Sequence, residues 1–147
     1  VFAGRMAYMG PMNEAETAIA ARLRAAGLRP TRQRTALAAI LFGAGDRHVS
    51  AEALRAEALA AKVVCSLATV YNTLNQFTRA GLLREVAIEG DRSYFDTNTS
   101  NHCHYFIEER GELIDIDDAR IEVTGLPEIP EGTVVDRVDV IVRLRRR

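Results

Sequence analysis

Ser66-Leu-Ala-Thr-Val-Tyr-Asn-Thr-Leu-Asn-Gln-Phe-Thr-Arg-Ala-Gly81 combines an apolar stripe with a polar face free of acids. Leu67, Val70, Tyr71, Leu74 and Phe77 recur at helical spacing, which predicts a helix with one stripe facing a core. Ser66 is a good N-cap, and Gly81 is the residue expected just past the last turn. The other face carries Ala68, Thr69, Asn72, Asn75, Gln76 and Arg79. Between Glu57 and Glu85 the chain has no acidic residue. Solvated helices usually mix Glu with Lys, because opposite charges at i,i+4 support them. A helix that enters a DNA groove cannot carry carboxylates toward phosphate, whereas short amides and hydroxyls reach base edges. Thr69, Asn72 and Gln76 are therefore candidate DNA contacts.

On its N-terminal side, Ser50 caps a second predicted helix, Ala51 to about Ala61, with Leu54, Ala58 and Leu59 inward. The Lys62–Cys65 link is short, as a helix-turn-helix requires. Two packed helices serve equally well in an ordinary core, so the flanking segments matter. Downstream, Leu83–Glu89 and Ser93–Asp96 have strand character around Gly90-Asp-Arg92, a tight-turn signal. A helix-turn-helix followed directly by a hairpin is a winged helix, with Arg92 at the wing tip placed for backbone or minor-groove contact. Upstream, Asn13 and Glu16 signal the start of a helix over 15–26 with Ile19 and Leu23 inward. In Leu28-Arg-Pro-Thr-Arg-Gln-Arg34, Pro30 forces extended chain at Arg29, and Thr31 caps a helix through about Phe42. Arg29, Arg32 and Arg34 crowd the end of that helix where the dipole disfavours cations. Either an anionic partner or a solvated basic loop accounts for them.

Thr97–Asn101 is a polar hinge, and the pattern changes beyond it. His102–Glu109, Glu112–Ile116 and Val134–Leu144 read as strands, with a short helix expected over Asp117–Val123. Two prolines in Leu126-Pro-Glu-Ile-Pro130 block helix continuation. The fold class expected is α+β: an N-terminal winged helix over 13–96, a hinge at 97–101 and a small C-terminal α/β domain over 102–147. So few C-terminal residues are marginal alone, which implies association with a second copy.

At 147 residues the chain can bury a real core. Its net charge of −1 hides an asymmetry. Residues 1–90 carry an excess of four positive charges and residues 91–147 an excess of five negative ones. A basic half suits phosphate, and an acidic half suits a metal or a partner surface. There is no apolar run long enough for a membrane span, and two cysteines, Cys65 and Cys103, make no disulfide framework. Residues 1–12 read as a leader segment rather than a signal peptide. A cytoplasmic location is expected.

The chain has three histidines, His48, His102 and His104. Two apart on a strand, His102 and His104 project from one face while Cys103 points the other way. Paired imidazoles suit iron, zinc or manganese, and carboxylates complete such sites; Asp96 and Asp115 are the candidates nearby. Surface histidines are the common alternative for such a pair. His48 stands immediately before the helix-turn-helix.

At these residues the chain resembles a family. His48-Val-Ser-Ala-Glu52, Ala68-Thr-Val-Tyr-Asn-Thr-Leu74 and the His102-Cys-His104 strand are similar to the ferric uptake regulator (Fur) superfamily. Asn101-His-Cys-His-Tyr-Phe106, Leu113-Ile-Asp-Ile116 and Arg137-Val-Asp-Val-Ile-Val-Arg143 are most similar to its iron response regulator branch. The resemblance implies a homodimeric transcription regulator of iron or haem homeostasis genes. Its winged helix would read A·T-rich double-stranded DNA, and its C-terminal domain would dimerise and sense a metal or haem. By position it implies a metal site of His48, Asp96, His102, His104 and Asp115, with haem ligation by His102, Cys103 or His104. It also implies Arg29 in the minor groove and Tyr71 near a thymine methyl, although Tyr71 borders the buried stripe and serves packing equally well. Where the family usually has Glu, this chain has Asp96 and Asp115. The family's structural zinc is held by paired cysteines, and the matching positions here are Ile107 and Arg110, so no structural zinc site is expected. No histidine follows His104.

Three functions fit these residues. One is a haem- or iron-responsive regulator, or a metal-activated repressor without haem sensing. A second is a non-haem metalloenzyme using the His/Asp group, although no nucleophile–base pair or Gly-rich loop accompanies it. The third is a winged-helix protein whose histidines are purely structural.

Overall fold

A computed structural model describes residues 13–116 and 121–147 of the chain. Four helices open it, each starting where a capping side chain satisfies the free N–H groups of the first turn. Helix α1 (Glu14–Ala25) begins with a reciprocal capping box: Asn13 Oδ1 accepts from the Glu16 N–H at 2.8 Å, and Glu16 accepts from the Asn13 N–H at 3.2 Å. Thr31 caps α2 (Arg32–Phe42), Ser50 caps α3 (Ala51–Ala60) and Ser66 caps α4 (Leu67–Arg79). Gly81, at φ +79°, turns the chain out of α4 in a conformation that a side chain disfavours. The Ser50→Ala variant is expected to lose about 1 kcal/mol, because its Oγ accepts from the Ala53 N–H at 3.1 Å. Urea denaturation followed by helical circular dichroism measures this, and an unshifted midpoint would rule out the cap.

Leu23, Leu37, Leu54, Val70, Leu74 and Phe77 bring the four helices onto one core, closed on the sheet side by Val49 and Phe95. The stripe of α4 faces inward as its spacing requires. In α3, Leu54 and Ala58 are buried, but Leu59 is 45 % exposed. Leu59 stands one residue round the helix from Ala58, at the edge of the stripe that α3 turns toward α2 and α4.

The sheet beneath the helices has three antiparallel strands in the order β1-β3-β2, with β1 at His48–Val49, β2 at Arg84–Glu89 and β3 at Arg92–Asp96. Strands β2 and β3 are the wing. A second sheet has the order β5-β4-β6, with β4 at Cys103–Ile107, β5 at Glu112–Ile116 and β6 at Ile141–Leu144. Strands β4 and β5 are antiparallel, and β4 and β6 are parallel. Val86 and Ile88 of the wing pack on Phe106 and Leu113 of the second sheet, and the Tyr94 hydroxyl donates to the Gly111 carbonyl at 2.6 Å.

The C-terminal elements are shorter than the sequence predicts. The strand expected over His102–Glu109 covers Cys103–Ile107, and the one expected over Val134–Leu144 covers only Ile141–Leu144. Pairing of β6 with β4 starts at His104, opposite Ile141, with the Val140 carbonyl accepting from the His104 N–H at 3.2 Å, and the chain just before Val140 forms no strand. Of the helix expected over Asp117–Val123, residues 117–120 lie outside the described residues, and 121–123 form no helix. Ile121, Val123, Leu126, Ile129, Val134, Val135 and Val138 are exposed. Among the described residues, no helix is long and apolar enough to cross a membrane.

Candidate metal centre and nucleic-acid interface

Two rows of side chains meet where the sheets approach each other. On the first sheet His48 lies directly opposite Asp96, so both project from one face. On the second, His104 lies directly opposite Asp115, and His102 precedes it by two residues on the same face. The ligand atoms of His48, Asp96, His102, His104 and Asp115 all lie within 4.8 Å of one another. All five residues singled out in the sequence are therefore brought together. Cys103, alternating to the opposite face of β4, is not among them.

The distances decide what this group can do. Asp96 Oδ2 lies 3.2, 2.8 and 3.0 Å from Nε2 of His48, His102 and His104. Asp115 Oδ1 lies 2.7, 3.1 and 3.2 Å from the same three atoms. An imidazole N–H donates along one direction, so six such approaches cannot all be hydrogen bonds. A spacing of this size is that of neighbouring ligands around one divalent ion with bonds of about 2.1 Å to nitrogen and oxygen. Three neutral imidazoles and two carboxylates also balance a divalent charge. A donor set of nitrogen and oxygen without thiolate suits iron, manganese or zinc.

The surroundings support that fit. Asp96 is fully buried, and its second oxygen, Oδ1, accepts the Asn98 N–H at 2.8 Å, leaving Oδ2 for the centre. Burial would raise the Asp96 pKa, but hydrogen bonds from His104, His48 and the Asn98 backbone outweigh it and hold the carboxyl well below its usual range. Burial would lower the His48 pKa, yet the Asp96 and Asp115 carboxylates outweigh it and raise it. His102 Nδ1 is 2.7 Å from the Ser100 carbonyl oxygen. A carbonyl only accepts, so Nδ1 carries the hydrogen and Nε2 presents its lone pair to the centre, the usual outer support of a ligating histidine.

The candidate DNA contacts divide. Asn72 on α4, Arg29 and Arg32 beside the start of α2, and Arg92 on the wing are exposed. Gln76 is engaged within the protein: its Oε1 accepts from Nε and Nη2 of Arg34 at 3.1 and 3.0 Å. Arg34 also donates to the Arg29 carbonyl at 3.0 Å, which pins the basic loop to α4. Thr69 Oγ1 pairs with Ser66 Oγ at 2.8 Å, and the Tyr71 hydroxyl donates to Glu52 at 3.0 Å. Tyr71 itself is half-buried against the core. The Arg92 guanidinium lies 5.4 Å from the centre of the Phe106 ring, between wing and second sheet. The engagements of Gln76, Tyr71 and Arg92 have no local signal in the sequence, because each joins elements distant in the chain.

The chain matches the model of the "Ferric uptake regulator family" over residues 25–140. It is 37 % identical over 101 residues to the ferric uptake regulation protein of Pseudomonas aeruginosa, covering 68 % of this chain and 75 % of that protein. It is 38 % identical over 104 residues to the peroxide-responsive repressor PerR of Staphylococcus epidermidis, covering 70 % and 67 %. Its fold matches the manganese-containing structure of the Pseudomonas aeruginosa regulator with a TM-score of 0.66 and 28 % identity, covering 86 % of this chain and 96 % of that one. The Vibrio cholerae ferric uptake regulator matches with a TM-score of 0.67 and 25 % identity, covering 86 % and 98 %. The helix-turn-helix, the wing and the small second sheet are thus those of Fur-type structures. The chain belongs to the ferric uptake regulator family, whose members are DNA-binding, metal-responsive transcription regulators and not enzymes.

Proposed function

We propose that this chain is a homodimeric, cytoplasmic repressor whose grip on an A·T-rich operator is set by one divalent ion held by His48, Asp96, His102, His104 and Asp115. The carrying observation is the convergence of three imidazoles and two carboxylates from both sheets at ligand spacing. His48 and Asp96 belong to a DNA-binding unit over 13–96, and His102, His104 and Asp115 to a dimerising unit over 102–147, joined by the hinge at 97–101. An ion favours the arrangement in which both halves of the ligand set meet, and so fixes the separation of the two recognition helices on DNA. Exposed Ile121, Val123, Leu126, Val134 and Val135 offer the apolar surface that a second copy covers.

Helix α4 is the recognition helix, with Asn72, Thr69 and Tyr71 toward the bases, Gln76 braced by Arg34, and Arg29, Arg32 and Arg92 toward phosphate or the minor groove. Arg29→Ala is expected to weaken operator binding and to reduce the salt slope by about one unit. An unchanged slope removes Arg29 from the contacts.

Iron, manganese and zinc all fit the donors, and the manganese-containing Pseudomonas aeruginosa relative makes Mn²⁺ the natural probe. Haem, the ligand suggested by similarity to the iron response branch, fits this centre less well. Its donors converge on a point, His104 is buried, and Cys103 faces away. The test is binding to an A·T-rich operator duplex at fixed salt with Mn²⁺ or haem titrated in. Tightening by Mn²⁺ that disappears in His102→Ala and His104→Ala is expected. Weakening by haem through the same residues would instead support the iron response reading. A tight affinity indifferent to both would leave the histidines structural.

A further inference from the structure

The wing register brings a cation beside this centre that the ligand set does not use. Arg84 lies directly opposite Asp96 across β2 and β3, on the other side of Asp96 from His48. It is 6 % exposed, an unusual state for an arginine, and a charge so buried requires partners. Nη1 donates to the Ser100 carbonyl at 3.0 Å and lies 3.4 Å from that of His102. Nη2 pairs with the Asp139 carboxylate, which also accepts from Arg137 at 2.9 Å. The Ser100 carbonyl that receives Arg84 is the one that receives His102 Nδ1–H. A continuous chain of contacts therefore runs from His102 Nδ1, opposite the ligating Nε2, through the Ser100 carbonyl and Arg84 to Asp139, on the segment leading into β6.

Resting on the metal-centre reading above, we propose that Arg84 is a positioning residue for the ion. It anchors the Ser100 carbonyl that holds His102 in its ligating tautomer, and through Asp139 it ties that ligand to the C-terminal segment. The contacts explain why a full positive charge is buried at the start of an edge strand. Such outer partners orient the imidazole and raise its basicity, and their loss typically costs about 10–100-fold in metal affinity. Because coupling between binding events is reciprocal, an ion that orders His102 also strengthens the hold of Arg84 on Asp139.

The test uses the whole chain, with Mn²⁺ affinity measured directly and Co²⁺ absorption as a report on ligand geometry. Arg84→Met keeps the apolar stem and removes the donors. It is expected to weaken Mn²⁺ binding by about 10–100-fold and to alter the Co²⁺ bands, while Arg84→Lys recovers much of the loss through one retained donor. Asp139→Asn, at a half-exposed site that folding tolerates, is expected to give a smaller weakening in the same direction. Wild-type affinity and unaltered Co²⁺ bands in a folded Arg84→Met would overturn the proposal. If Arg84→Met does not fold, unaltered values in Asp139→Asn overturn it instead. The underlying reading fails separately: then the wild-type protein binds no Mn²⁺, or His102→Ala binds it unchanged, and the role of Arg84 falls with it.

Discussion

Asp96→Ala is expected to abolish Mn²⁺-dependent operator binding at metal concentrations that saturate the wild-type protein, raising the concentration required by at least about 100-fold. Asp96 Oδ2 is the atom on which all three imidazoles converge from one side, between 2.8 and 3.2 Å away. The residue is fully buried at the end of β3, so no water-exposed acid can take its place. Loss of an outer-shell partner alone costs about 10–100-fold, and Asp96 combines a direct oxygen with the Asn98 contact that orients it. Asp115→Ala removes the opposing oxygen, but that side chain is 30 % exposed, so solvent replaces part of what is lost and a smaller effect is expected. Equilibrium dialysis with Mn²⁺ and an operator titration on each variant measure both. Equal, small effects from the two substitutions would show that the carboxylates only brace the histidines.

Phe77→Ala is expected to destabilise the protein by about 3–5 kcal/mol, a large part of the roughly 5–15 kcal/mol that holds a domain of this size together. Phe77 is fully buried on the inner stripe of α4, with its ring 6.3 Å from that of Phe42 in α2. Truncation leaves a cavity lined by helices whose starts are already fixed by caps, so collapse around it is limited. The recognition helix would lose its anchor, and operator binding would fail with or without metal. Asn72→Ala, on the exposed face of the same helix, is expected to change stability by less than about 0.5 kcal/mol while weakening DNA binding. Urea denaturation of the two variants separates packing from contact. A cost for Phe77→Ala on the order of an ordinary surface change, below about 0.5 kcal/mol, would show that α4 is held by other contacts.

The features that follow from sequence alone are local. Asn13, Thr31, Ser50 and Ser66 mark helix starts because a cap acts within three residues, and the structure begins all four helices there. The inward stripe of α4 and the shared face of His102 and His104 follow from helix and strand periods alone. The five-residue group was legible because its histidines are the whole supply in the chain, because Asp96 and Asp115 are carboxylates on or next to the neighbouring strands, and because family resemblance implied the same five positions.

What the sequence did not determine depends on partners distant in the chain. Val134–Val140 reads as strand from its valines but meets β4 only at its last residue, where the Val140 carbonyl accepts from the His104 N–H at 3.2 Å. Gln76 sits on the polar face of α4 and Tyr71 at the border of its buried stripe, yet Arg34 and Glu52 engage their polar ends from other helices. The wing shows the physical reason most directly. Glu89 pairs with Arg92, and carrying that register inward without a slip would place Glu85 opposite Asp96. Instead, a bulge between Ala87 and Glu89 shifts β2 by one residue and puts Arg84 there. One extra residue exchanges an acid for a cation beside the buried carboxylate, in a wing whose Val86 and Ile88 pack on Phe106 and Leu113 of the second sheet.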